Sequence, residues 1–303
     1  MKIGFSLPNL GPLTTPDALK TIAQTAERLG YHSLWTADRL LFPVRPRTPY
    51  PGTPDGRLPE AMRRNMDPLE ALTFAAAHTS KITLGTSVLV MPFYNPVVLA
   101  RRVATLDVLS GGRARICLGL GWSADEYAAA REPQEQMGAK ADEYLQVLKA
   151  VWTQDPASFS GKHYTLPASH FDLKPVQKPH PPIYLASYNR AGLRRAALLA
   201  DGWNPAGIPV DGMKQMMAGM RATAKQSGRD PDELAVVVRA NVYVSKKPLG
   251  ADRHIFSGTL DQIRQDAEAC AKLGVDEVFL DPSFGPDGTS LEWYLQRLDE
   301  LKP

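Results

Sequence analysis

The sequence is short of cysteine, of net charge and of long apolar runs, and each shortage removes a class of protein. Only two cysteines occur, Cys117 and Cys270. They have no metal-ligand or redox spacing, which argues against a disulfide framework and reads as two buried thiols of a reducing compartment. A formal net charge of +3 over 303 residues gives no case for nucleic acid or an anionic membrane surface as partner. No stretch approaches the roughly eighteen apolar residues of a membrane span. The opening MKIGFSLP reads as a strand without a signal peptide, so a cytoplasmic protein is expected. Histidine is also sparse, and His163, His170 and His180 lie in a proline-rich stretch without a metal-site pattern.

Hydrophobic residues make up 44% of the chain, ample for a core. The organising stretch runs from Lys81 to Tyr127. Ile82 to Val90 is an apolar run rich in β-branched residues and reads as a strand buried on both faces. Asn95 and Pro96 then open a helix that stops at Ser110-Gly111-Gly112. A second buried strand, Ala114 to Leu118, ends in Gly119-Leu120-Gly121-Trp122. Strand, helix and strand of this kind build parallel sheets, and in barrels the carboxyl ends of the strands carry the active site.

The alternation extends along the whole chain. Strands are expected at Lys2 to Leu7, Ser33 to Ala37, Ile183 to Ala186, around Asp201 to Asn204, Leu234 to Val244 and Glu277 to Leu280. Helices are expected between them, with Leu260, Ile263, Ala267, Cys270 and Leu273 marking one face of the helix near the end. Eight strands, each followed by a helix, predict an α/β fold: one (β/α)8 TIM barrel domain over residues 1–303. It carries a long insertion after strand 2, Leu40 to Met66, dense in proline and arginine, and an excursion at Asp155 to Pro182 before strand 5. A loop that long at a strand's carboxyl end is expected to act as a lid.

These residues resemble the bacterial luciferase-like monooxygenase superfamily, and within it the oxidoreductases that use the deazaflavin coenzyme F420. The matching pieces are LGYHSLWTADRL, DPLEALTFAAAHTSKITLGTSVLVMPFYNPVVLARRVATLDVLSGGRARICLGLGW, RRAALLADGWNP and SGTLDQIRQDAEACAKLGVDEVFL, in the family's order over nearly the whole chain. The resemblance implies a strand bulge at Thr86, Ser87 and Val88, with a non-proline cis peptide at Ser87-Val88 pressing against the deazaflavin ring. It implies Asp38 beside the ring, Gly119, Gly121 and Trp122 lining it, and Ser187, Tyr188 and Asn189 as a phosphate-contacting turn. It also implies a small-molecule substrate and a homodimer.

The departures from the family pattern bear on the chemistry. Many relatives read Asp-His where this chain has Asp38-Arg39, and arginine stays protonated, so Arg39 suits anion stabilisation better than acid/base work. A glutamate of the sugar-phosphate dehydrogenases is Trp122 here, and the usual Gly-Gly of the phosphate turn is Tyr188-Asn189. The implied activity is hydride transfer between F420 and a small organic substrate, with Asp38 and Arg39 as the catalytic candidates and no metal. The alternatives are a monooxygenase using reduced FMN and a non-catalytic flavin-binding barrel; no nucleophile constellation supports a hydrolase.

Three further patterns have plainer readings beside functional ones. Arg39, Arg45, Arg47, Arg57, Arg63 and Arg64 make either a solvated face or a patch that attracts the long anionic tail of F420. Asp125-Glu126 reads as acidic residues in a helix's first turn, or as an acid/base pair. Met213, Met216, Met217 and Met220 follow helical spacing and read as packing.

Overall fold

Polar side chains that accept from free first-turn amides start most of the helices. Thr15, Asp67, Asn95, Ser123, Asn189, Thr259 and Ser290 each do this, and Thr259 forms a reciprocal capping box with Gln262. The computed structural model of the chain describes residues 1–283 and 290–303.

Among the described residues, eight parallel strands close into a barrel: β1 Lys2–Ser6, β2 Ser33–Thr36, β3 Thr83–Thr86, β4 Ala114–Gly119, β5 Ile183–Leu185, β6 Gly202–Trp203, β7 Ala235–Asn241 and β8 Glu277–Asp281. Each pairs with its neighbours in order, and β1 pairs with both β2 and β8, which closes the ring. The flanking helices are α1 Pro16–Arg28, α2 Pro68–His78, α3 Pro96–Ser110, α4 Ala124–Ala129, α5 Met137–Thr153, α6 Arg190–Leu199, α7 Val210–Gln226, α8 Leu260–Leu273 and α9 Leu291–Glu300.

Strand alternation separates two cores. Side chains facing outward pack under the helices in one large cluster that includes Met213, Met217 and Met220. Those facing inward form a smaller one of Trp35, Cys117, Tyr184, Val237 and Phe279. Trp35 stacks on Phe279 with ring centres 4.9 Å apart. This is possible because its partner in register across the ladder is Gly85, where a Cβ would come within 2.5 Å of the indole. Toward the amino end the interior is plugged by Glu277, which takes Arg115 at 2.7 Å and the Trp35 indole N–H at 3.0 Å. Two buried charges are tolerable there because the guanidinium fork and the neighbouring donors satisfy the carboxylate.

Two expected strands are interrupted. The run Ile82 to Val90 stops at Thr86; the Ser87-Val88 peptide is cis, and Leu89–Val90 resumes alongside Leu118 and Gly119 of β4. The run Leu234 to Val244 leaves the barrel at Asn241. Val242 N–H still reaches Asp281 O, while Tyr243–Val244 turns away to pair with Ser257–Gly258. The excursion before β5 contains an antiparallel hairpin of Ala157–Ser160 with Thr165–Ser169. No helix among the described residues is long and apolar enough to cross a membrane.

Candidate active site at the carboxyl end of the barrel

The mouth is organised by the break after β3. Thr86 Oγ1 accepts from Cys117 N (3.1 Å) and donates to Cys117 O (3.2 Å), so a side chain stands in for the ladder bonds at that level. The carbonyl of Ser87 accepts from Arg239 Nη1 at 2.9 Å, and the Ser87 hydroxyl donates to Asn204 Oδ1 at 2.7 Å. Asn204 is itself tied down by donating to Val237 O. Arg239 completes the bracing through Asp281, 2.6 Å from its other terminal nitrogen. Ser87 is therefore held by Arg239 of β7 and by Asn204, just after β6, with Asp281 of β8 behind Arg239, and the Ser87-Val88 peptide forms a braced shelf.

Gly119 and Gly121 have a packing role against that shelf. A Cβ on Gly119 would lie 2.9 Å from Val88 Cγ2, and one on Gly121 would lie 2.6 Å from Val90 Cγ1. Gly121 also has φ +78°, a left-handed conformation that glycine adopts without steric cost. These glycines let the 88–90 segment close onto β4.

Asp38 follows β2 and reaches across to the same segment. Its Oδ2 accepts from Val90 N at 3.0 Å and from the Tyr94 hydroxyl at 3.1 Å. Burial pushes its carboxyl up to about 7, against the opposing pull of those two hydrogen bonds.

Arg39 points elsewhere. Its guanidinium pairs with Glu126 at 3.2 Å and lies 5.0 Å from the centre of the Trp122 ring. Glu126 also accepts from Leu40 N (2.8 Å) and Leu41 N (3.3 Å), while Asp125 accepts from Arg47 N (2.9 Å) and Arg47 Nε (2.7 Å). Tyr50 packs on Trp122 with ring centres 5.4 Å apart. The two carboxylates in the first turn of α4 thus bind the 40–66 insertion down. Tyr50 is carried within electrostatic reach of Arg239 and Asp281 at the mouth, and its burial raises the phenol above its usual range. Of the arginine set, Arg39, Arg47, Arg57 and Arg63 each face a carboxylate of the chain itself. That reduces what this stretch offers to an external anion.

Ser187, Tyr188 and Asn189 lie at the start of α6. Asn189 caps the helix by accepting from Gly192 N at 2.8 Å, and Ser187 O accepts from the Trp203 indole at 2.8 Å. Tyr188 is 59% exposed. The next amides, of Arg190 and Ala191, belong to a helical first turn, where backbone donors and the helix dipole favour an anion.

The structure thus gathers Asp38, Thr86, Ser87, Val88, Gly119 and Gly121 around one shelf, with Ser187 to Asn189 on the same rim. Arg39 and Trp122 meet the insertion's partners, Arg39 through Glu126 and Trp122 through Tyr50. Sequence reading missed Arg239, Asp281, Asn204 and Tyr94. Strand alternation carried a usable signal for two of them: Arg239 and Asp281 stand two residues beyond the inward-facing Val237 and Phe279. Beside Ser87, a hollow lined by Leu7, Asn9, Trp35, Arg239 and Asp281 offers about 10 Å³, room for a single water.

Comparisons with known proteins bear on the family and the fold. A family model described as luciferase-like monooxygenase matches residues 1–290. An uncharacterized protein of Mycobacterium tuberculosis is 32% identical over 210 residues, 68% of this chain and 74% of the relative. An FMNH2-dependent dimethylsulfone monooxygenase of Pseudomonas putida is 31% identical over 171 residues, 55% of this chain and 46% of the relative. In fold, the chain is similar to the coenzyme F420-dependent tetrahydromethanopterin reductase of Methanopyrus kandleri. The TM-score is 0.76 at 19% identity, with 100% of this chain and 98% of that one covered.

Proposed function

The chain belongs to the luciferase-like monooxygenase family, and on that premise we propose that it is an oxidoreductase transferring a hydride between deazaflavin coenzyme F420 and a small organic substrate held under the 40–66 insertion. The observation that carries the reading is the shelf: the segment after β3, whose Ser87 carbonyl is held by Arg239, beside a carboxyl raised by burial to about 7. A flat tricyclic ring suits such a rigid, mostly apolar surface.

When bound, the cofactor supplies the hydride chemistry, and the chain supplies position and electrostatics. Ser87, Val88 and Val90 orient the ring, with Gly119 and Gly121 allowing the shelf its shape. Asp38 would lie beside the ring, as the family resemblance implies. The α6 first turn after Ser187, Tyr188 and Asn189 holds the cofactor phosphate through backbone amides. The insertion, seated by Glu126 and Asp125, excludes water and brings Tyr50 toward the substrate.

A second reading keeps the site and exchanges the ring for reduced FMN acting with oxygen; the P. putida relative supports it by sequence. Fluorescence titration of the purified protein with F420 and with FMN, followed by oxygen uptake with reduced FMN, tests both. Saturable binding of the deazaflavin alone supports the first. FMN binding with oxygen uptake replaces it with the second, and binding of neither refutes both.

A further inference from the structure

Among the described residues, the mouth carboxyls Asp281, Glu126 and Asp38 are answered differently. Asp281 faces Arg239 at 2.6 Å and Glu126 faces Arg39 at 3.2 Å. The hydrogen bonds to Asp38 come instead from two neutral donors, Val90 N and the Tyr94 hydroxyl, both to Oδ2. A guanidinium partner pulls a carboxyl toward its charged form; the two donors on Asp38 supply no such counter-charge.

Tyr94 is held in place by its neighbours. It follows the short 3-10 turn Met91–Phe93, with its own N–H on Met91 O at 3.1 Å, and directly precedes the cap of α3. The Arg102 guanidinium lies 5.7 Å from the centre of its ring. Arg102 is in turn pinned by Asp67 at 2.8 Å and by Glu70. A cation over the ring strengthens the phenol as a donor, while burial raises the phenol and keeps it protonated. Tyr94 therefore has a hydrogen to donate at any working pH.

From these contacts we propose that Tyr94 is a positioning residue that sets the charge of Asp38, and that Asp38 is where the proton accompanying hydride transfer is held. The inference rests on the oxidoreductase reading above for its chemistry, and on the Asp38, Val90 and Tyr94 geometry for its residues. When a substrate C–H and O–H become a carbonyl, the hydride leaves to the ring and the proton goes to the Asp38 carboxylate. In the reverse direction the carboxylic acid returns the proton to oxygen. The other groups facing Asp38 are Asp67 at the start of α2, Glu126 on α4, Tyr144 on α5 and the adjacent Arg39. Of these elements and the segment after β3, only the latter places a hydroxyl in hydrogen-bond contact with Asp38 Oδ2.

The test is carboxyl NMR of protein labelled with 13C-aspartate, titrated without cofactor, with the Asp38 signal identified by its loss in Asp38→Asn. In the wild type the midpoint should fall near 7. In Tyr94→Phe, which removes one hydrogen bond to the ionised form and leaves the ring on Arg102, it should rise by about one unit. The pH profile of the loaded enzyme should move in the same direction by the same amount. A wild-type midpoint near the ordinary aspartate value overturns the proposal without any variant, and so does an unmoved midpoint in Tyr94→Phe. Failure of the oxidoreductase reading is separate, since it shows as absent cofactor binding while the NMR midpoints still report on Tyr94.

Discussion

Replacing Asp38 by asparagine should change how the protein's stability depends on pH. In the folded chain the carboxyl titrates near 7, against 3.8 in the unfolded chain. Between those values the folded state holds a proton that the unfolded state has released, so wild-type stability falls as pH rises through that window. Three units at about 1.4 kcal/mol each set a ceiling of about 4 kcal/mol, trimmed because Asp38 keeps some exposure to solvent. Over pH 5 to 8 the loss amounts to roughly 2 to 3 kcal/mol. Asparagine carries no such dependence. Its amide still accepts from Val90 N and Tyr94, while any unmet donor adds a cost that is the same at every pH. With an unfolding entropy near 2 cal/mol/K per residue over 303 residues, the variant's Tm relative to wild type should climb by about 4 °C from pH 5 to pH 8. Differential scanning calorimetry at matched ionic strength measures it. A constant difference across that range, or one of opposite sign, refutes the assignment of Asp38 as a buried carboxyl held by neutral donors.

Other perturbations address the shelf and the insertion. Glu126→Gln leaves Arg39 buried without its anion and should cost about 3 kcal/mol. It should also speed tryptic cleavage after Arg47 and Arg57, and unchanged cleavage would mean Glu126 does not seat the insertion. Gly119→Ala drives a Cβ against Val88 Cγ2 and should cost about 1 to 3 kcal/mol. Adding Val88→Ala should return most of that stability, whereas strictly additive losses in urea unfolding would contradict the contact. Arg239→Met strands the Asp281 carboxylate and releases the Ser87 carbonyl, at about 3 to 5 kcal/mol. Arg239→Lys should recover only part, because one ammonium cannot reproduce the two-pronged contact; full recovery in the same unfolding assay would argue against it.

Periodicity and capping residues alone determined the strand and helix alternation. Local chemistry states them twice over: β-branched runs such as Val236 to Val238 favour strands, and Thr15, Asp67, Asn95 and Thr259 satisfy first-turn amides wherever the chain folds. The break in Ile82 to Val90 was legible only through resemblance, since nothing in those residue types says that a strand must stop at Thr86. The shelf's supports come from 117 to 194 residues away, at Asn204, Arg239 and Asp281, and only barrel closure makes them neighbours. Closure likewise decided the fate of Asp38 and Arg39. The two adjacent residues read as one catalytic pair, yet their side chains leave the chain toward different partners. One meets neutral donors at the shelf and the other meets Glu126 under the insertion. Which charge a side chain meets is a property of the assembled mouth, and a linear pattern does not contain it.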